Sequence, residues 1–122
     1  MSEIAGGLFL LVGIGNLIPM LGVLSAERLE TLYGVRIREA NLLILMEHRA
    51  VLLGIIGSLL VAAAFDASLR VVGLLAGLAS MVSFVAVAHR IGEYNELLKR
   101  VVLIDVGASV LLLVAGVLDL VA

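Results

Sequence analysis

Glu47, His48 and Arg49 follow one another inside a stretch that is otherwise almost wholly apolar from Asn41 to Phe65. Ionisable side chains are costly in such a setting and serve as ion pairs or as handles for protons and ligands. Asp105 stands in a second apolar stretch, about one and a half helical turns past Arg100. Asn16 stands in a third, three residues before the chain's only proline, Pro19. His89 and Arg90 close a fourth. A carboxylate, a guanidinium, an amide and an imidazole brought to one level could hold a polar ligand or pass a proton.

Spacing limits which of these groups can meet. Successive helical residues are about 100° apart, so Arg49 lies about 200° around its helix from Glu47 and the two do not pair readily. Asp105 suits Arg49, and His89 or Arg90 suits Glu47. Pro19 has no N–H to offer the carbonyl of Gly15, which is left free beside Asn16. Inside a bilayer such a carbonyl must be met by protein or water. The candidate ligand-binding residues are therefore Asn16, Glu47, Arg49, His89 and Asp105. Two other readings use the same residues. Glu47, Arg49 and Asp105 could form a buried ion-pair network that only fixes helix order. His48 and His89, the chain's two histidines, could ligate a haem between two helices, or Glu47, His89 and Asp105 a metal. No nucleophile–base pair or metal motif is visible, so no catalytic residue, metal ligand or cofactor is assigned.

Four apolar segments must position these groups: about Ile4–Leu24, Asn41–Phe65, Leu69–His89 and Val101–Val121. Each is near the ~20 residues that span a ~30 Å hydrocarbon core. The first has Glu3 ahead of it rather than a basic residue, and its apolar run is too long for a signal peptide. It is expected to be a retained span. With neighbouring spans alternating in direction, all the candidate residues fall in one half of the membrane. Glu47 then lies about 9 Å in from Asn41. The expected fold is all-α: one integral membrane domain over residues 1–122, a bundle of four transmembrane helices. Ser25 to Gly34, with Leu29, Leu32 and Tyr33 on one face, should add a short interfacial helix.

The links between segments carry six basic residues on one side: Arg28, Arg36, Arg38, Arg90, Lys99 and Arg100. The other side has only Arg70. The positive-inside rule puts both basic links in the cytoplasm and both termini outside. Small residues should carry the helix contacts, since apolar burial does not drive association in lipid. Candidate stripes are Ala50, Gly54, Ser58 and Ala62 in the second segment and Gly73, Gly77 and Ser80 in the third. The fourth offers Ala108, Ala115 and Gly116.

Composition agrees. The chain is 63% hydrophobic and 15% charged, against about a quarter charged for a soluble domain. Mean hydropathy is +1.27. A net charge of −2 gives no footprint for nucleic acid. The absence of cysteine rules out thiol, disulfide and iron–sulfur chemistry.

Several runs carry a likeness to a known group: Gly15-Asn16-Leu17-Ile18-Pro19, Ser25-Ala26-Glu27-Arg28-Leu29, His48-Arg49-Ala50-Val51-Leu52, Gly92-Glu93-Tyr94-Asn95, and Arg100 through Asp105. Together they resemble small bacterial membrane proteins with four helices, DoxX-like in size and layout. The resemblance spans nearly the whole chain and implies a bacterial inner membrane. Some members carry the label phosphopantetheine adenylyltransferase, yet this chain has no Gly-rich nucleotide loop and no soluble α/β domain. Glu47 departs from the group, where an apolar or basic residue is expected.

Two functions compete. One is a protein that binds or transports a small ligand, lipid or proton through a polar pocket in the cytoplasmic half. The other is an accessory or assembly subunit of a larger membrane complex, with purely structural charges. The expected partners are the bilayer and a second copy or larger complex. Small multidrug transporters are similar in size but carry their carboxylate in the first helix, which has none here.

Overall fold

The computed structural model describes residues 2–18, 30 and 40–121. The interfacial helix expected at 25–34 and Pro19 lie outside the described residues, apart from Glu30. Four α-helices and one short 3₁₀ turn account for nearly all of the rest: α1 (Ser2–Leu17), α2 (Ala40–Phe65), α3 (Arg70–Ile91) and α4 (Glu96–Val121). No strand occurs among the described residues. α2, α3 preceded by its 3₁₀ turn, and α4 are each long and apolar enough to cross a membrane. α1, with 16 residues, is shorter.

Local chemistry explains the ends. Asp66 opens the link between α2 and α3, accepting from the backbone N–H of Ser68 (3.0 Å) and from its hydroxyl (2.6 Å). These two bonds hold its carboxyl below the usual aspartate range. α3 ends at Gly92, whose φ of 78° is the left-handed conformation glycine tolerates. Its N–H donates to the carbonyl of Ala88 (2.8 Å), and His89 and Arg90 suit the negative end of the helix dipole. α4 begins at Glu96, five residues before the apolar run that marked it in the sequence. Asn95 caps it, its Oδ1 accepting from Leu98 N–H (2.8 Å). Hydropathy locates the span but does not see a polar first turn.

The helices pack around a square in chain order, each against its two neighbours, with α1 and α4 closing the ring. Direction alternates. Gly6 lies against Ala64 and Gly13 against Gly57, so α1 and α2 are antiparallel, and Gly73 beside Ala63 and Gly77 beside Leu112 continue the pattern. The centre holds Phe9, Leu60, Met81, Leu112 and Ala115.

The α1–α2 contact is a backbone approach. A Cβ on Gly57 would stand 2.7 Å from the Gly13 carbonyl oxygen, and one on Gly13 would stand 2.9 Å from that of Gly57. On α2 the buried positions Ala50, Leu53, Gly57 and Leu60 follow a three–four–three spacing, the heptad seam of a helix bundle. The four-residue stripe expected on α2 is therefore corrected. Ala50 and Gly54 are buried, but Ser58 and Ala62 are exposed. Each four-residue step drifts about 40° around the helix, so by Ala62 the stripe has rotated about 120° outward. On α3 Gly73 and Gly77 do face neighbours, and on α4 Ala115 is buried. Large side chains such as Val72, Leu75, Val82, Ile104, Val110 and Leu113 point outward. Glycine and alanine at the helix contacts with so many large apolar side chains outside is an order that lipid tolerates and water does not.

Candidate functional site

One cavity of about 460 Å³ brings together three of the five residues expected from the sequence: Asn16 from α1, Arg49 from α2 and Asp105 from α4. Its remaining wall is almost entirely apolar, with Met81 of α3 contributing from the buried centre and Leu53, Ala108 and Leu111 beside it. Alternating direction does the positioning. Because α1 and α4 run antiparallel, a residue near the end of α1 meets one a few turns into α4.

Each polar group has a distinct state. Asn16 is 8% exposed, and its Nδ2 donates to the carbonyl of Val12 (2.9 Å). A carbonyl can only accept, so this bond fixes which amide atom is which. Oδ1 accepts no hydrogen bond among the described residues. Asp105 is half-buried, and its carboxylate likewise accepts none; the hydroxyl of Ser109 donates instead to the backbone oxygen of Asp105 (2.7 Å). Arg49 lines the same cavity as Asp105, and no salt bridge joins the two among the described residues. The Arg49 guanidinium lies over the Phe84 ring, 4.3 Å from its centroid, a cation–π contact. Gly15, whose carbonyl cannot take a bond from Pro19, lines the same space.

Glu47 and His89 line neither this cavity nor the groove beside it. Glu47 is half-buried on the side of α2 away from Arg49, as the 200° offset requires. His89 is exposed in the last turn of α3, about 12 Å along that helix from Met81. Among the described residues no three of His, Asp and Glu gather as metal ligands do, so Glu47, His89 and Asp105 are not brought together. His48 lines an open groove of about 680 Å³ between α2 and α3, shared with Arg49, Ser80, Ser83 and Phe84, which His89 does not line.

A charge held by several partners lies at the other end. Arg70, 6% exposed, bonds Asp119 Oδ1 through Nη1 (2.8 Å), the Ala63 carbonyl through Nε (3.1 Å) and the Ala64 carbonyl through Nη2 (3.2 Å). It also stands 5.9 Å from the centroid of the Phe9 ring. All four helices meet at this guanidinium. The two carbonyls belong to the last turn of α2, where helices leave acceptors unmet. Asp119 sits near the negative end of α4, an unfavourable place for a carboxylate that Arg70 makes tenable. Sequence reading took Arg70 for a loop charge. The available signal was the shortness of the link, which forces the first residue of α3 against the last carbonyls of α2.

No family model, curated protein or solved structure matches the chain, so its function has to be read from its own side chains.

Proposed function

We propose that this is an integral membrane protein whose four helices all cross the bilayer and whose α1/α4 cavity binds a small amphipathic molecule. The observation that carries the reading is the cavity itself: an apolar space with Asn16, Arg49 and Asp105 on its wall. Apolar walls with a few convergent polar groups are the usual composition of a small-molecule site. The outward-facing large side chains and the three long apolar helices support the membrane setting. α1 runs antiparallel to α2 along its length and buries Ala5, Phe9 and Val12 in the same core, which supports its being the fourth span. In this reading the basic links face the cytoplasm, the termini lie outside, and the cavity opens in the cytoplasmic half of a bacterial inner membrane.

Native mass spectrometry of the detergent-purified protein tests the reading. The wild type is expected to retain a bound small molecule that Arg49→Met and Asp105→Asn release while remaining folded. Retention of the same species by both variants would sink it. The competing function, an accessory subunit, is favoured by the open α2/α3 groove of about 680 Å³. It predicts a co-purifying protein and no small molecule.

A further inference from the structure

The cavity's polar groups also say what it should hold, granted the reading just given. Buried polar atoms are almost always hydrogen-bonded, and each exception needs an explanation. Asn16 is more than nine-tenths buried, yet its Oδ1 accepts nothing from the described residues. Among the described residues no fully enclosed side-chain oxygen or nitrogen lacks a partner. The Asn16 oxygen is therefore open to the cavity that the side chain lines. The Asp105 carboxylate is a second acceptor on the same wall that takes no bond from the described residues. Two open acceptors call for a ligand head that donates hydrogen bonds. Arg49 and Asp105 put one cation and one carboxylate on this wall, so the head needs no charge of its own.

The shape of the wall indicates the way in. Leu11 and Gly15 of α1, Ile18 just past its end, and Ile104 and Gly107 of α4 line the cavity yet are exposed on the outside of the bundle. The cavity thus opens sideways between these two helices. Gly15 and Gly107 both line the cavity and have nothing within 4 Å of where a Cβ would stand, so no side chain of either fills the gap there.

We infer that the cavity takes an uncharged, hydroxyl-bearing amphiphile from within the bilayer, through a slot between α1 and α4 held open by Gly15 and Gly107, with the Asn16 carbonyl accepting from its head.

The test uses the full chain in nanodiscs and three probes of equal chain length: a diazirine-labelled monoacylglycerol, fatty acid and alkylamine. Saturable photolabelling of cavity residues by the monoacylglycerol, competed by unlabelled monoacylglycerol, is expected. Asn16→Leu should weaken it about tenfold, the size of one hydrogen bond. Gly107→Phe, placed in open space, should leave the thermal midpoint unchanged and slow labelling at least tenfold. Gly7→Phe, also in open space on α1 but away from the slot, should do neither. Stronger labelling by the fatty acid or the amine would overturn the inference about the head while leaving the binding cavity intact. Undiminished labelling in Gly107→Phe would overturn the slot alone. If none of the three probes labels the cavity, the binding reading falls as well. Because the chain has no cysteine, Gly107→Cys gives a single thiol. Its oxidation to a disulfide dimer in the membrane would show that a second copy, not lipid, faces the slot.

Discussion

Arg49 and Arg70 are the two arginines set among the packed helices, one toward each end of the bundle, and their surroundings differ in kind. Arg70 is enclosed and bonded to a carboxylate and two backbone carbonyls, and it lies near an aromatic face. Arg49 lies on the wall of two open spaces, one of them shared with Asp105, and over the Phe84 ring. A buried charge with every bond satisfied by its own chain has nothing left to offer a ligand. A cavity wall that carries a carboxylate and an amide oxygen accepting no bond from the described residues has interactions still to complete. Ionisable groups stand at both ends, and what surrounds them separates architecture from site.

The contrast can be broken by substitution, and the largest effect belongs to Arg70. Arg70→Met leaves Asp119 without its partner and two carbonyls unmet, and should cost about 3–5 kcal/mol in thermal unfolding. Replacing both, Arg70→Met with Asp119→Leu, should recover much of that loss, because the stranded carboxylate goes too. Next comes Gly57→Leu, which drives a side chain into the α1 backbone and should cost at least the ~1–3 kcal/mol of an overpacked core. Arg49→Met, on the cavity wall, should cost less than Arg70→Met and instead abolish ligand retention. A cost as large as that of Arg70→Met would erase the distinction between the two ends.

The smallest effect belongs to Asp66, which shapes the link that delivers Arg70 to α2. Its folded-state pKa is depressed by the Ser68 hydroxyl and N–H. Its contribution to stability is therefore present above the ordinary aspartate range and is lost as pH falls through the lower folded value. A titration of thermal stability should show a slight loss there that Asp66→Asn removes.

Much of this was legible from residue types and spacing. The three long helices announce themselves as apolar runs, and alternation of direction puts Asn16, Arg49 and Asp105 at one level. Glu47 fails to join them for a reason also written in the sequence: two residues on a helix turn it away from Arg49. His89 fails because hydropathy ends a span without saying how far the last turns project past the cavity. The start of α4 at Glu96 is set by an Asn95 cap that carries no apolar signal. The Arg70 junction was hidden because a charge beside a turn reads as solvated until packing shows four helices closing on it. The exposed Ser58 and Ala62 show the same limit, since a four-residue stripe and a heptad seam coincide for one turn and then diverge.

The central claim is that the Arg49 end binds and the Arg70 end only holds. Thermal unfolding with and without saturating monoacylglycerol tests it most directly, in the wild type, Arg49→Met and the paired Arg70→Met/Asp119→Leu variant. A ligand at a hundredfold its Kd stabilises by about 2.7 kcal/mol. The wild type and the paired variant should both gain that stability, and Arg49→Met should gain none. An equal gain in Arg49→Met, or a gain lost only in the paired variant, would contradict the account.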